Sequence, residues 1–306
     1  MSSSTSSSKA FLGAFGLAFA IVFGVSIGAT EMLLRRHVLP FDTHADYKKR
    51  FLSSTADTAA FGDSHVANGL ASGPGFDNFG QASDNLQTVI FKVGHRLQRG
   101  GLKRVILQAD PQVFAPYRLK EEQVSRIAAL TNPDDPPLAI LRAEYRQYLM
   151  GYWWAALRDP RMIFREPSRT DQTTARFNAR PKAEQASEAS LRVQLHTPAA
   201  NLASTTAAIN FHKLLQQLRQ AGAQVCLVAF PISSAYREAA AGSSAFANSA
   251  SFFLESANNY GARYADLSRV FPDDRFSDPD HLQHESANEF RDKAIEACFG
   301  QEKGKS

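Results

Sequence analysis

Between Ala10 and Thr30 the chain runs for 21 residues, AFLGAFGLAFAIVFGVSIGAT, without a single charge. As a helix rising about 1.5 Å per residue, such a run spans about 30 Å, the thickness of a bilayer's hydrocarbon core. The apolar core of a cleaved signal peptide is usually shorter, about 7–15 residues. The length therefore predicts an uncleaved transmembrane anchor over residues 10–34, behind a cytoplasmic tail of residues 1–9. Charge does not decide which side carries the rest of the chain. Lys9 alone precedes the run, whereas Arg35, Arg36, Lys48, Lys49 and Arg50 follow it, a bias that would hold the C-terminal side in the cytoplasm. Long domains translocate regardless of that bias, so the side has to follow from function.

Residues 35–54 read as a polar juxtamembrane connector with one short helix. Beyond them an alternation begins that predicts an α/β fold. DTAAFGDS is a short strand running into a turn, FDNFG is a second ending at Gly80, and Val105–Ala109 is a third stopped by Pro111. QVCLVAFP is a buried strand stopped by Pro231, and ARYADLS is the last. Helices fall between them. One has apolar residues at Leu86, Val89, Ile90, Val93 and Leu97 and closes at Gly100–Gly101; another covers NLASTTAAINFHKLLQQLRQAGA; SANEFRDKAIEACF ends the fold. Strands alternating with helices of this length imply a parallel sheet covered on both faces, here over residues 55–300.

An insertion at about 116–200 interrupts the alternation. Its segment from Leu138 to Phe164 interleaves Tyr145, Tyr148, Tyr152, Trp153 and Trp154 with Arg142, Arg146, Arg158 and Arg161. Aromatic stripes at helical spacing are most often core, so a lid packed on the domain is expected. A helix lying on a membrane and a platform for sugar rings are the other readings. The polar stretch Glu166–Ser190 reads as a long surface loop.

Composition removes several classes. At 44% hydrophobic and 21% charged residues, the chain is globular. Its net charge of +4 comes without a basic run, so nucleic acid is not an expected partner. Cys226 and Cys298 are the only cysteines, which rules out a thiolate zinc site and predicts two buried free thiols rather than a pair.

In an open parallel sheet, ligands bind outside the carboxyl ends of the strands. Those ends carry Gly62-Asp63-Ser64-His65, then Gly80, then Gln108-Ala109-Asp110, and after the last strand Asp278, Asp280, His281 and His284. This set fits acyl transfer. A serine hydroxyl attacks only when an imidazole takes its proton, and the imidazole needs a carboxylate to fix its tautomer. Ser64 would be the nucleophile, His281 the base and Asp278 the orienting acid. Backbone N–H groups at Ser64 and Gly80 would meet the oxyanion. Two plainer readings stay open. Ser64 is also a favoured helix N-cap, and Asp63-x-His65 has the spacing of a metal-ligand pair. The Gly-Asp-x-x-Asp and Gly-Asn-His segments that a two-metal phosphoesterase also needs do not occur, so neither metal nor cofactor is expected.

These residues resemble the SGNH/GDSL hydrolases. The Gly62-Asp63-Ser64 triplet looks like the family's first block, Asn78-Phe79-Gly80 its second, and Asp278 with His281 in DPDHLQHESANEF its fifth. The resemblance covers roughly residues 55–115 and 200–300. It implies a flavodoxin-like three-layer α/β/α fold, with nucleophile Ser64, base His281, orienting Asp278 and oxyanion donor Gly80. The third block departs from the pattern: Gln108-Ala109-Asp110-Pro111 stands where the family has Gly-x-Asn-Asp, leaving Gln108 or Asn85 to replace the asparagine donor. His65 replaces the family's leucine. It is expected to line the site with Asp63, Asp110 and His284, and Asp280 is too close to His281 in sequence to orient it well. An anchored branch of the family acts beside a membrane-bound O-acyltransferase in polysaccharide O-acetylation and teichoic acid D-alanylation. That likeness implies a periplasmic domain on the inner membrane of a bacterium, passing an acyl group from a donor through Ser64 to a polysaccharide hydroxyl. An esterase and an inactive scaffold are the alternatives.

Overall fold

Five short segments become five parallel strands. They are β1 (Thr58–Phe61), β2 (Phe76–Asn78), β3 (Arg104–Gln108), β4 (Gln224–Ala229) and β5 (Arg263–Asp266), in the order β2-β1-β3-β4-β5. The segments are apolar through β1, β3 and β4 and mixed in β2 and β5. The structure is a computed structural model describing residues 6–37, 41–119, 127, 130, 149–163 and 177–300. Thr58 pairs with both Phe76 and Arg104, and Gln108 pairs with Val228, so the carboxyl ends of the central strands finish level. The second strand stops two residues before Gly80, and the third stops at Gln108 rather than Ala109.

Alternate strand residues face one core. Ala60, Ile106, Cys226, Val228 and Ala265 share a buried cluster with Phe290, Ala294 and Cys298 of the C-terminal helix Ala287–Phe299. Cys226 and Cys298 form a disulfide, which corrects the expectation of two free thiols. The reason is topological: the last turn of the C-terminal helix packs on β4 and brings the two Cα atoms within 5.5 Å, inside the range that a bridge needs.

The helix Leu86–Arg99 is capped by Asn85 and closed by Gly100, whose φ of 77° suits glycine. Its buried face carries Leu86 and Val93 of the expected apolar stripe, together with polar residues. Thr88, Lys92 and Arg96, spaced by four, are fully buried, whereas Val89, Ile90 and Leu97 are half-buried. The cations hold loop carbonyls: Arg96 donates to Ser54 O and Ala56 O, and Lys92 to Phe79 O, Gln81 and Asp84. Lys92 thus braces the loop that carries Gly80, and Arg96 the segment that leads into β1.

Three further helices had no clear signal in the sequence: Lys182–His196, Ser234–Ala240 and Ser244–Tyr260. The first corrects the loop expected over Glu166–Ser190 from Lys182 onward. Pro181 pre-sets the entry and the run is rich in good helix formers. Residues 164–176 lie outside the described set.

The chain divides into two units, one from residues 53–123 and 170–306, described above, and one from residues 1–52 and 124–169. The expected insertion is thus split between them. In the second unit, the helix Ser6–His37 contains Phe11–Leu34, 24 residues of mean hydropathy 2.2, long and apolar enough to cross a membrane. The connector is largely one helix, Phe41–Ser53. Of the aromatic segment, Leu149–Arg158 is a helix on which Trp153, Trp154 and Leu157 are exposed and Ala156 is buried. Tyr145, Tyr148, Arg142 and Arg146 lie outside the described residues.

The disulfide closes a sequence separation of 72 residues, for which chain entropy allows about 4 kcal/mol of stabilisation. Cys298→Ser, and wild type under reductant, are expected to lose about 2–4 kcal/mol in denaturant unfolding; equal midpoints for oxidised and reduced protein would contradict the pairing.

Candidate active site

The turn after β1 is built to hold one conformation. Gly62 is required because a Cβ there would lie 2.4 Å from Val66 Cγ2 and 2.5 Å from Gln108 Oε1. Asp63 then caps the short helix Ser64–Gly69, its Oδ1 accepting the His65 N–H at 2.9 Å. Its other oxygen accepts from Arg118 Nη2 at 3.1 Å. Burial would raise the Asp63 pKa, but nearby His65 and Arg118 outweigh it and hold the carboxyl below its ordinary range. Gln108, at the end of β3, completes the frame: its Oε1 accepts the Asp63 N–H, and its Nε2 donates to Asp110 Oδ2, both at 2.8 Å.

His281 arrives from the loop between β5 and the C-terminal helix. Asp278 organises that loop, its Oδ1 accepting the backbone N–H of Asp280 at 3.0 Å and of His281 at 2.8 Å. Asp278 Oδ2 lies 2.8 Å from His281 Nδ1. On the far side of the ring, His281 Nε2 lies 2.7 Å from Ser64 Oγ. With Nδ1–H donated to the carboxylate, Nε2 presents its lone pair to the serine hydroxyl, the arrangement in which an imidazole accepts that proton. The half-buried Ser64 retains access to solvent.

Beside this chain lies a second, buried set of charges. His65 places Nδ1 2.9 Å from Asp110 Oδ2 and Nε2 3.1 Å from Asp280 Oδ2. Burial alone would lower its pKa, but the bonds to Asp110 and Asp280 prevail and raise it well above the ordinary value. Burial would likewise raise Asp280, yet His65, His281 and His196 hold it well below the usual carboxylate range. Asp110 also accepts the Phe230 N–H at 2.8 Å, tying the β3 end to the residue after β4. The helix Lys182–His196 contributes Arg192, whose Nε is 3.3 Å from Asp280 Oδ1, and His196, whose Nδ1 is 2.9 Å from Tyr236 Oη. Arg118, Arg192, His196 and Gln112 are the residues that sequence reasoning missed. Gln185, Ala189, Arg192 and His196 fall on one helical face, a pattern that the polar composition of the segment conceals.

The expected oxyanion donors are not all disposed as expected. The Gly80 N–H donates to Asn78 Oδ1 at 2.8 Å. Its lack of a side chain serves a close approach to the Ser64 helix, since a Cβ would lie 2.7 Å from both Ala67 N and Val66 Cβ. Gln108 is committed at both ends of its amide to the Asp63 turn and Asp110, and Asn85 Oδ1 caps a helix by accepting the Thr88 N–H. His284 is exposed in the turn His284–Ser286, away from the buried network. Nor do Asp63 and His65 converge as a ligand pair, because their side chains go to different partners. Among the described residues, His65, Asp280 and His281 bring ligand atoms within 4.8 Å of one another, but these atoms already face carboxylates, each other or Ser64.

Compared with known proteins, the chain matches no family model and no curated relative.

His196 carries a pH signature. Burial depresses its folded pKa to about 4, below the unfolded value near 6.5. The unfolded state therefore binds this proton first, and stability falls as pH drops from about 6.5 toward 4. Urea unfolding at about pH 7.5 and about pH 4.5 is expected to show an acid loss about 2–3 kcal/mol larger in wild type than in His196→Gln. Equal losses in the two proteins would contradict a neutral buried ring.

Proposed function

We propose that this protein is a membrane-anchored serine acyl-transfer enzyme that passes an acyl group, most simply acetyl, to a hydroxyl of an envelope polysaccharide. The observation that carries the reading is the pair of contacts on one ring, 2.7 Å from His281 Nε2 to Ser64 Oγ and 2.8 Å from Nδ1 to Asp278 Oδ2. Strand order supports the fold that goes with it. An order of 2-1-3-4-5 is that of flavodoxin-like doubly wound sheets, whose ligands bind where the order reverses, here between β1 and β3. Ser64 follows β1, and Gln108 and Asp110 follow β3.

In this mechanism Ser64 Oγ attacks the donor's acyl carbon while His281 Nε2 takes the hydroxyl proton. Asp278 stays ionised and stabilises the imidazolium through Nδ1–H. The developing oxyanion is met by the Ser64 backbone N–H. Collapse of the tetrahedral intermediate breaks the bond to the leaving group, which receives the proton from Nε2. The acceptor hydroxyl then attacks the Ser64 ester, gives its proton to Nε2, and departs acylated as Ser64 Oγ recovers that proton. Water in place of the sugar hydroxyl would make the same site an esterase.

Two features support action outside the cytoplasm. The N-terminal apolar helix would hold the site near a membrane, and the Cys226–Cys298 disulfide belongs to oxidising compartments such as the periplasm. An acyl donor delivered through a membrane-bound O-acyltransferase fits that placement.

The test is the full-length protein in detergent micelles with 4-nitrophenyl acetate, with and without oligosaccharide. An acetyl adduct on Ser64 is expected by mass spectrometry, with its acetyl moving to sugar when sugar is present. Ser64→Ala is expected to lose the adduct, and His281→Ala to react about 10²- to 10⁴-fold more slowly. Release of acetate at a rate indifferent to sugar would assign an esterase. Unchanged turnover in Ser64→Ala would overturn the enzyme reading.

A further inference from the structure

A histidine whose two ring nitrogens each face a carboxylate can satisfy both only when it carries both protons. His65 is such a residue, nearly sealed from solvent, with Asp110 at 2.9 Å on one side and Asp280 at 3.1 Å on the other. The two acids come from different parts of the fold, Asp110 from the end of β3 and Asp280 from the loop that carries His281. His65 itself is the next residue after Ser64. One buried cation thus stitches together the three segments that meet at the site.

Asp280 is the reason this matters to the reaction. Its Oδ1 is buried, makes no hydrogen bond among the described residues, and lies 3.7 Å from His281 Nδ1, against 2.8 Å for Asp278 Oδ2. Two carboxylates therefore flank the same imidazole nitrogen. Left uncompensated, Asp280 would compete with Asp278 for the Nδ1 proton and make the His281 imidazolium too reluctant to return its proton. The compensating charges are His65, whose ring centre is 5.0 Å from that of His281, and Arg192, which faces Asp280 Oδ1 at 3.3 Å and Asp278 Oδ2 at 3.7 Å. His196 Nδ1 lies 3.7 Å from Asp280 Oδ2, and Gln112 Nε2 lies 3.2 Å from both nitrogens of His65.

We propose that His65 is a positioning residue for the reaction: clamped as an imidazolium between Asp110 and Asp280, it neutralises Asp280 and ties the His281 loop to the β3 end, so that Asp278 alone orients the base. The inference rests on reading Ser64 and His281 as nucleophile and base, and it deepens that reading by assigning the buried pair a part in setting the base's proton affinity.

The experiment is a pH titration of the full-length protein in micelles, labelled with ¹⁵N in histidine rings, for wild type, His65→Gln, Asp280→Asn and the double variant. Wild-type His65 is expected to show both ring nitrogens protonated at about pH 8. His65→Gln removes a cation and frees an anion, so the pH at which His281 gains its proton moves up, on the order of one unit. Asp280→Asn moves it down, and the double variant returns close to wild type because the opposite changes cancel. With 4-nitrophenyl acetate, the acid limb of kcat follows these shifts while KM changes less than about twofold. A neutral His65 ring at about pH 7, an unmoved His281 midpoint in His65→Gln, or a double variant no closer to wild type than either single one would overturn the proposal. If His65→Gln does not fold, the wild-type ring state and the direction of the Asp280→Asn shift decide alone. The failure of the underlying reading has a different signature: Ser64→Ala keeps its turnover while the ring titrations behave as described.

Discussion

The contact between Ser64 Oγ and His281 Nε2, 2.7 Å long, joins residues 217 positions apart, and most of the domain's special features serve to make it possible. Parallel pairing ends β1 and β3 side by side, which puts the Ser64 turn next to the Gln108–Asp110 turn. The last loop has to cross to the same edge, and the C-terminal helix that follows it is bonded to β4 through Cys226 and Cys298. Asp278 then accepts two backbone N–H groups of its own loop through Oδ1 and faces the His281 ring with Oδ2 at 2.8 Å and Oδ1 at 3.0 Å. A carboxylate used in this way fixes the ring's position and its tautomer together.

The cost of this arrangement is buried charge. Asp63, His65, Asp110 and Asp280 are all nearly inaccessible, and Arg118 is close to it. Isolated, each would be strongly disfavoured, and removal of one partner from such a set leaves the other uncompensated. Here the signs alternate: Arg118 pairs with Asp63, His65 lies between Asp110 and Asp280, and Arg192 faces Asp280. The same logic holds the neighbouring loop, where buried Lys92 meets Asp84 and two carbonyl-type oxygens. Networks of this kind favour one geometry over many, which is what a hydroxyl-to-imidazole contact needs.

How much of this was legible in the sequence follows from how locally each feature is encoded. Ser64 stands in the polar turn that closes β1, and Asp278 and His281 in the loop between β5 and the C-terminal helix, so the strand ends bring the two stretches to one edge of the sheet. The five strands are legible because each is a short local run. The helix Lys182–His196 is hidden because its buried face carries Gln185, Arg192 and His196, polar residues that only a tertiary partner makes sense of. Thr88, Lys92 and Arg96 mislead in the opposite direction, since the burial of two cations depends on loop carbonyls that come from elsewhere in the chain. His65 looked like a neighbour of the serine; its role as a bridge depends on Asp280, 215 positions away. The disulfide depends on a helix-on-strand contact that two cysteines 72 positions apart do not announce. Gly80 reads in the sequence as a backbone oxyanion donor, whereas its N–H goes to Asn78 Oδ1 and its missing side chain makes room for the Ser64 helix.

The central claim is that Ser64 is activated by His281 under the control of Asp278. The most direct measurement is covalent labelling of the full-length protein with a fluorophosphonate, followed by peptide mass spectrometry. A single adduct on Ser64 is predicted, forming rapidly in wild type and at least about a hundredfold more slowly in His281→Ala. Labelling at an equal rate in both proteins, or an adduct on any other serine with Ser64 untouched, would contradict the account.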